Sequence, residues 1–409
     1  KENRQKVRIL QINTSANTSA PGRIASEIGY LLMDNGHESF IAYGRTSREE
    51  KSSVIKITNI KDISFHILYT RLFDRHGFGS KKATERFINR IMEINPDVIH
   101  LHNLHGYYIH IGVLFGYLKK AEKPVIWTLH DCWPFTGHCS YFDRVDCIRW
   151  QSECFDCPLI RGYPASWLID NSRRNFQNKK ELFSSLNNIN LVSPSNWLAK
   201  HLTNSFLGQY PIKIINNGVD IGKFKPIDPN YARDKFKLKG QYIILGVANI
   251  WSKRKGYDDF IKLRALLDPE IEIMLVGLSP GQIRNLSHGI RGISRTESIA
   301  DLVALYSSAD IFVNPTWVDN FPTVNLEALA CGTPVVTYNT GGSPESIDNT
   351  TGIVVPKGDI PGLNTAIMDL LSKDRKVISI ECRNRVERLY NSVSRYSDYL
   401  KLYGSVTHS

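Results

Sequence analysis

Short apolar runs alternate with helix-length amphipathic segments along nearly the whole chain, and this alternation constrains the fold more than any other feature. Apolar runs of strand length between amphipathic segments are typical of βα units, which build parallel sheets. The candidate strands fall into two sets, and we predict one doubly wound α/β sheet from each. They are residues 7–12, 39–43, 98–101, 125–129 and 190–192 in the first half, and 242–247, 272–276, 311–314 and 334–337 in the second.

An Asn-Gly turn and a proline separate the two sets of strands. Asn217-Gly218 is a dipeptide typical of turns, and a charged stretch that contains Pro226 precedes the next candidate strand. Ligands of parallel sheets bind beyond the carboxyl ends of the strands, so we expect a site in a cleft between two facing sheets. The expected domains are 1–220 with a Cys-rich insertion at 132–158, then 221–382, and a final helix at 383–409 that packs back on the first domain.

The net charge of +11 indicates an anionic partner, such as a phosphorylated small molecule, an acidic membrane or nucleic acid. No arginine-rich block or zinc-finger spacing supports nucleic acid, and we expect no such partner. Residues 98–118 form the longest uncharged stretch, but their four histidines would be costly in lipid. We find no secretory signal and expect a cytoplasmic protein, at most peripheral on the inner face of the cell membrane.

The most informative stretch begins at Asp319 and reads Asp-Asn-Phe-Pro-Thr-Val-Asn-Leu-Glu-Ala-Leu-Ala-Cys-Gly-Thr-Pro. It follows the candidate strand at 311–314, and Pro322 suits the first turn of a helix. The start of that helix offers the backbone N–H groups of Thr323 and Val324, and the positive end of the helix dipole, to an anion. A phosphate group is the ligand that such a helix end is suited to bind.

This stretch resembles the Glu-x7-Glu motif of the family 4 glycosyltransferases, which are retaining enzymes of the GT-B fold with two Rossmann-like domains. The resemblance implies that Glu327, the second acid, binds the ribose hydroxyls of a nucleotide. It implies that Asp319, one methylene shorter than the usual Glu, contacts the donor sugar. Phe321 lies in the same donor-binding stretch, together with Pro322, Thr323 and Val324. The segments at 217–226, 340–345 and 351–359 also resemble family motifs, in the expected order.

A basic cluster, Lys253-Arg254-Lys255, follows the candidate strand at 242–247. Positive side chains there can stabilise the charge that grows on a diphosphate leaving group. The resemblance implies that Lys255 binds phosphate. Asn249 stands where the family usually has Arg, and Lys253 or Arg254 is the candidate substitute. A solvated run of charges is the alternative interpretation.

The resemblance implies four further donor contacts. His130, after the candidate strand at 125–129, matches the histidine that contacts the donor sugar, and a buried structural imidazole is the alternative. Gly22 lies in a predicted loop at 14–23, where relatives place a loop against the donor phosphate and the acceptor, and a plain βα loop is the alternative. Ser294 and Arg295 stand where relatives hold the base, and a surface turn is the alternative.

Histidines cluster at the end of another candidate strand, where the chain reads His100-Leu-His102-Asn-Leu-His105. Metal binding is one interpretation, but no nearby carboxylate completes a ligand set. We expect these histidines to have structural roles and to line the acceptor side of the cleft.

Four cysteines follow the spacing Cys-x7-Cys-x6-Cys-x2-Cys, a pattern that suits a tetrahedral structural zinc ion. A reducing cytoplasm disfavours two disulfides, but reduced loop thiols and a disulfide stay open as alternatives. His138 could replace one ligand. The candidate ligands are Cys139, Cys147, Cys154 and Cys157.

The resemblance implies a retaining glycosyltransferase that moves a sugar from a UDP- or GDP-sugar to a glycan or lipid-linked glycan in bacterial surface polysaccharide biosynthesis. Its implied catalytic residues are His130, Asp319 and Glu327. The chain contains no Asp-x-Asp motif, so we expect no catalytic metal, and the leaving phosphate would act as the base. The alternatives are a sugar-nucleotide epimerase and a noncatalytic binding subunit.

Residues 61–90 combine aromatic and basic side chains and are the candidate contact with an anionic membrane. An ordinary packing helix is the alternative there.

Overall fold

The computed structural model describes residues 6–407, so the ends of the expected domains, residues 1–5 and 408–409, lie outside it. The chain divides into two compact units. The N-terminal unit consists of the chain up to Asn216 and again from Tyr396 onward. The C-terminal unit is Asn217–Arg395. Within residues 6–407, none of the helices combines the length and the apolar character that a membrane crossing requires.

The N-terminal unit is built on a seven-stranded sheet in which every neighbouring pair is parallel. The strand order is β3-β2-β1-β4-β5-β6-β7. The strands are β1 (Arg8–Ala16), β2 (Glu38–Ser47), β3 (Ser53–Lys56), β4 (Val98–Leu101), β5 (Val125–Thr128), β6 (Ile189–Ser193) and β7 (Ile212–Ile214). The helices are α1 (Ser19–Asp34), α2 (Ile60–Phe73), α3 (Lys81–Ile94), α4 (Ile111–Ala121), α5 (Ser172–Phe183) and α6 (Asn196–Thr203).

The C-terminal unit repeats this plan with a six-stranded parallel sheet of order β10-β9-β8-β11-β12-β13. The strands are β8 (Tyr242–Val247), β9 (Ile271–Val276), β10 (Ile290–Ile293), β11 (Ile311–Asn314), β12 (Val335–Tyr338) and β13 (Gly352–Val355). The helices are α7 (Asn230–Phe236), α8 (Tyr257–Arg264), α9 (Pro280–Arg284), α10 (Ile299–Ser308), α11 (Thr323–Ala330), α12 (Ile360–Leu371) and α13 (Arg375–Leu389). The prediction of two doubly wound α/β sheets is confirmed.

The central strands are apolar along their whole length because helices cover both faces of each sheet. All four residues of β4, of β5 and of β11 are buried. The strand order reverses between β1 and β4 in the first sheet, and between β8 and β11 in the second. Loops after the strands diverge at such a reversal and leave a crevice in which ligands bind.

The last segment of the chain differs from the prediction of one helix at 383–409. α13 ends at Leu389, and a separate helix, α14 (Ser392–Thr407), follows it. The break lies where Val219 bridges Asn391: the N–H of Val219 donates to Tyr390 and its carbonyl accepts from Ser392. This pairing turns the chain out of α13 before α14 begins.

α14 packs into the N-terminal unit through a row of buried tyrosines. The hydroxyl of Tyr403 lies 2.6 Å from Nδ1 of His100, and that of Tyr399 lies 3.0 Å from the hydroxyl of Thr128. Nε2 of His100 lies 2.8 Å from the same threonine hydroxyl. His100 is therefore a structural residue beneath α14, as the sequence predicted for part of the histidine cluster.

Candidate functional site

Two loops meet at the reversal of the second sheet, one after β8 and one after β11. The carbonyl of Arg254 accepts hydrogen bonds from the N–H of Trp317, at 2.9 Å, and from the hydroxyl of Thr316, at 3.4 Å. Gly256 has φ +78°, and a Cβ there would lie 2.2 Å from the carbonyl oxygen of Pro315. Only glycine allows this approach, which holds the basic cluster against the loop that carries Asp319.

Lys255 and Asp319 form an ion pair at the junction of these loops. Nζ of Lys255 donates to Oδ2 of Asp319 at 2.6 Å, with side chains 23% and 17% exposed. Gly341, after β12, packs against the backbone of Asp319: its φ is +55°, and a Cβ would lie 1.7 Å from the carbonyl oxygen of Asp319. Two side chains that the sequence assigned to phosphate and sugar are thus held together.

The helix expected after Asp319 is α11. Pro322 is its N-cap residue, and Thr323 and Val324 form its partly exposed first turn. Backbone N–H groups of a first turn have no acceptor within the helix, so they are available to an anion beside Lys255. Phe321 has another role: it is buried and packs on Tyr390, and its carbonyl accepts from the Asn217 side chain at 2.8 Å.

Glu327 lies one turn into α11 and is only 6% exposed. Its Oε2 accepts a hydrogen bond from the hydroxyl of Tyr306 at 3.0 Å. Tyr306 is itself fully buried and receives a bond from Thr333 on its backbone carbonyl. The carboxylate is therefore held in a fixed orientation by a side chain from α10.

A buried polar network that the sequence motifs did not indicate fixes the start of α11. Asn325 accepts from the Asn314 amide at 2.8 Å, and its own amide donates to Ser343 at 3.2 Å and to Ser346 at 2.9 Å. The one signal of this network in the sequence is Asn325, a polar residue between the apolar Val324 and Leu326 of the predicted helix. Thr340 begins the segment 340–345 that resembles a family motif but was given no role of its own, and its buried hydroxyl has no hydrogen-bond partner among residues 6–407.

The remaining donor-side candidates lie along the same edge of the second sheet. Asn249, Lys253 and Arg254 are exposed in the loop after β8. Ser294 and Arg295 are exposed directly after β10, two strands away. The structure therefore brings Lys255, Asp319 and the start of α11 together, and leaves the base-side candidates at the edge of the sheet.

In the N-terminal unit, His130 follows β5 and pairs with a second histidine. Nε2 of His130 lies 3.0 Å from Nδ1 of His102, and Nε2 of His102 lies 3.0 Å from Oε1 of Gln11. Burial lowers the pKa of His130 to about 4 and holds that of His102 well below its usual range. At neutral pH both rings are uncharged and act as hydrogen-bonding groups rather than cations.

A third histidine of this unit, His105, bonds to Asp131 and Tyr163. The sequence motifs indicated the histidine but neither of its partners. Nε2 of His105 lies 2.7 Å from Oδ2 of Asp131, and its Nδ1 lies 3.0 Å from the hydroxyl of Tyr163. Burial alone would raise the pKa of Asp131, but His105 and the N–H of Trp133 hold it below its ordinary value. Tyr163 comes from a segment 58 residues away, and the sequence carries no signal of its arrival.

Gly22 is not in a loop. β1 continues to Ala16 and α1 begins at Ser19, so the predicted loop at 14–23 is mostly strand and helix. A Cβ at Gly22 would lie 2.7 Å from Oγ of Ser15, so the residue permits close packing of α1 on β1. The backbone turns sharply through Asn17 and Ser19, both with positive φ.

The four candidate zinc ligands, Cys139, Cys147, Cys154 and Cys157, line one cavity and are all free thiols. Across the part of the chain that the structure describes, no group of three or more His, Cys, Asp or Glu side chains is already arranged to hold a metal ion.

Comparisons with known proteins agree with this architecture. Residues 22–223 match the family model "Glycosyltransferase Family 4", and residues 241–373 match "Glycosyl transferases group 1". The colanic acid biosynthesis glycosyl transferase WcaC of Escherichia coli is 26% identical over 374 residues, 86% of this chain and 88% of that protein. The capsular polysaccharide biosynthesis glycosyltransferase CapM of Staphylococcus aureus is 25% identical over 203 residues, 46% of this chain and 53% of that protein.

Solved structures share the fold over nearly the whole chain. Sucrose-phosphate synthase from Thermosynechococcus elongatus superposes with a TM-score of 0.71 at 17% identity, over 97% of this chain and 98% of that one. Anabaena HepE in complex with UDP and glucose superposes with a TM-score of 0.70 at 16% identity, over 98% and 100%. The fold is GT-B, and the chain belongs to the family 4 glycosyltransferases.

Proposed function

We propose that this glycosyltransferase moves a sugar from a UDP- or GDP-sugar to a glycan or lipid-linked glycan during assembly of a bacterial surface polysaccharide. The observation that carries the proposal is the Lys255–Asp319 pair at the start of α11, with the oriented carboxylate of Glu327 one turn further on. Relatives named for colanic acid and capsular polysaccharide support the acceptor class. The HepE structure with UDP and glucose supports the donor class.

The donor extends along the carboxyl edge of the second sheet. The diphosphate binds at the reversal between β8 and β11, where Lys255 and the N–H groups of Thr323 and Val324 converge. The base lies toward Ser294 and Arg295 beyond β10, two strand spacings or about 10 Å away. Gly277, after β9, lines the path between them; a Cβ there would lie 1.7 Å from the carbonyl oxygen of Ala248.

In the reaction, the bond between the sugar C1 and the diphosphate oxygen breaks, and the acceptor oxygen forms the new bond to C1. The positive Lys255 and the end of α11 stabilise the charge that develops on the leaving diphosphate. The acceptor proton passes to the leaving phosphate oxygen, so attack occurs on the same face and the anomeric configuration is retained. The chain lacks an Asp-x-Asp motif, so Lys255 and the start of α11 neutralise the diphosphate in place of a metal ion. The reaction is therefore expected to proceed in EDTA.

The N-terminal unit supplies contacts to the sugars. The uncharged His130 hydrogen-bonds the transferred sugar, and His102 fixes its ring orientation. Acceptor recognition belongs to Tyr163, whose side chain is 47% exposed while its hydroxyl is held by His105 and, through it, by Asp131. An aromatic ring with a fixed hydroxyl suits a sugar ring that both stacks and hydrogen-bonds.

The same unit carries a surface suited to an anionic membrane, which serves a lipid-linked acceptor. Phe65 and Leu68 on α2 are 65% and 50% exposed. Trp167 and Leu168 extend this apolar face, since the N–H of Trp167 donates to Arg71 at 2.7 Å and the Arg71 guanidinium stacks on the indole. Apolar and aromatic side chains beside cations are typical of peripheral membrane contacts on the cytoplasmic face.

Screening of nucleotide sugars tests the donor proposal. The true donor is expected to raise the thermal unfolding temperature and to be hydrolysed slowly without acceptor, in EDTA, and Glu327→Ala is expected to lose both effects. Glu381→Ala, which removes an exposed glutamate on α13, is the matched control. A product that NMR shows to have the inverted anomeric configuration contradicts the mechanism, and dependence on a divalent cation contradicts the role of Lys255.

Vesicle sedimentation tests the membrane surface. The wild-type chain is expected to bind vesicles of phosphatidylglycerol more than those of phosphatidylcholine, and Phe65→Ser with Leu68→Ser is expected to weaken this binding. Ile299→Ser, at a 55% exposed position of the C-terminal unit, is the control. Equal binding by all three proteins contradicts the assignment.

A further inference from the structure

The Cys-rich segment gathers its thiols around one cavity of the N-terminal unit. Cys139 and Cys157 both line this cavity. The N–H of Gly137 donates to Sγ of Cys154 at 3.2 Å, and Cys147 lines the same cavity. All four thiols are free, so no disulfide holds the segment in this structure.

A buried lysine lies next to these thiols, and neither of its hydrogen bonds goes to a carboxylate. Lys179 on α5 is 1% exposed, and its ammonium group donates to the neutral carbonyls of Trp133, at 2.8 Å, and Thr136, at 3.0 Å. Its electrostatic neighbours include the thiols of Cys154 and Cys139 and the carboxylates of Asp74 and Asp131. Burying a cation is costly unless negative charge lies nearby. The compensation here comes from the Trp133 ring, whose centroid lies 3.6 Å from the ammonium nitrogen, and from Asp74 and Asp131, which interact with it only through space.

A buried histidine presents an unpartnered ring nitrogen to the cavity. Nδ1 of His138 lies 2.5 Å from Oδ1 of Asp74, and both side chains are fully buried. Its Nε2 has no hydrogen-bond partner within residues 6–407, although His138 lines the cavity with the four thiols. A hydrogen-bond acceptor placed in the cavity would satisfy this nitrogen.

We propose that Cys139, Cys147, Cys154 and Cys157 bind one structural zinc ion. Four thiolates around Zn²⁺ are a stable tetrahedral set, and two of them here have the Cys-x2-Cys spacing of structural zinc sites. Such a centre carries a net charge of −2, which favours a buried cation nearby such as Lys179 and gives the His138 imidazole sulfur acceptors. Zinc binding thus gives the unpartnered Nε2 of His138 an acceptor and adds negative charge beside Lys179.

Ion binding must draw the sulfurs inward, since no three ligands are yet gathered at one point in the described chain. Each cysteine reaches a new sulfur position by rotation about one side-chain bond. The segment between Cys139 and Cys157 contains only short 3-10 turns, at Phe142–Arg144 and Arg149–Gln151, so no long helix or strand resists the adjustment. Each thiol releases its proton to solvent as it binds.

The ion would brace the surface that faces the acceptor. The N–H of Cys157 donates to Asp170 at 2.6 Å, which ties the last ligand to the end of the segment that carries Tyr163. Trp133 accepts the Lys179 bond and lies 5.7 Å from the His105 ring, centroid to centroid. Loss of the ion would loosen Tyr163 and lower the unfolding temperature of the N-terminal unit.

Metal analysis of chain purified without chelator tests the proposal. We expect about one zinc ion per chain, and loss of at least half of it in Cys154→Ser and in Cys157→Ser. Cys331→Ser, a buried cysteine of the C-terminal unit, is expected to keep the full amount. Full zinc content in Cys154→Ser overturns the assignment.

A second measurement needs no variant and stays decisive if the variants do not fold. A mercurial reagent added to the wild-type chain is expected to release zinc, detected by a chromogenic chelator, as the thiols react. Zinc content near zero after purification and after incubation with ZnCl2 overturns the proposal. A disulfide between any two of the four cysteines, found by mass spectrometry of freshly lysed cells, overturns it as well.

Discussion

Replacement of Lys255 and of Asp319 should affect a nucleoside diphosphate and its sugar conjugate in different ways. Lys255→Ala removes a charge-assisted hydrogen bond to phosphate, which is worth about 1.5–3 kcal/mol, or about 10-fold to 150-fold in Kd. Both the nucleoside diphosphate and the nucleotide sugar should lose this amount, because both carry the phosphates.

Asp319→Asn should act in the opposite direction on the nucleoside diphosphate alone. The carboxylate holds Lys255 at 2.6 Å and competes with the phosphates for its ammonium group. The pair is partly exposed, so its loss should change binding by about 0.2–1 kcal/mol, which means up to about fivefold tighter binding. The nucleotide sugar should gain less or lose affinity, because the amide of this variant offers no carboxylate to the sugar hydroxyls.

Isothermal titration of both variants with UDP, GDP and the matching sugar conjugates measures the difference. Lys376→Ala, which removes an exposed lysine of the same unit, controls for the net-charge change of Lys255→Ala. If Asp319→Asn weakens the nucleoside diphosphate as much as Lys255→Ala does, the reasoning is refuted, because the carboxylate then supports phosphate binding rather than competing with it.

Three other variants or conditions probe the two units. Glu327→Ala should weaken donor binding by about 10-fold to 150-fold in titration calorimetry, since it removes charge-assisted bonds worth about 1.5–3 kcal/mol; an unchanged Kd excludes a ribose contact. Asn325→Ala should lower the urea midpoint of the C-terminal unit, because each partner left unpaired costs about 1–3 kcal/mol; an unchanged midpoint contradicts the network. Burial lowers the pKa of His66 and of His100 from 6.5 to about 3, so the unfolded chain binds their protons first as the pH falls. The free energy of unfolding should therefore fall below pH 6.5, by up to about 1.4 kcal/mol per pH unit for each histidine, and equal values at pH 5 and 7 contradict this.

The central strands could be predicted because burial on both faces makes them continuous apolar runs. The edge strands could not: β7 is mostly exposed and contains Lys213, and β10 contains Arg291 and Gly292. A strand with one open edge needs few apolar residues, so its sequence resembles that of a loop. The end of α13 was missed for a different reason, since it depends on pairing with Val219, which is distant in the sequence.

The candidate site was predictable where one motif lies within one loop and helix. The stretch from Asp319 to Glu327 has an acid at each of its ends and indicated that a helix begins between them. α11 begins there, at Thr323. The ion pair with Lys255 joins residues 64 positions apart, and the bond between His105 and Tyr163 joins residues 58 apart. Such contacts depend on which loops the sheet order brings together, and the strand order cannot be read from local pattern.

The return of α14 to the N-terminal unit sets an order of events during synthesis. The ribosome completes the whole C-terminal unit before it makes Tyr399 and Tyr403, which cover His100 and Thr128. Until then, Ile9, Ile126 and other apolar side chains that pack on α14 stay open to solvent in the nascent chain. The first unit to be translated is therefore the last to be finished, and exposed apolar surface of this kind is what chaperones bind.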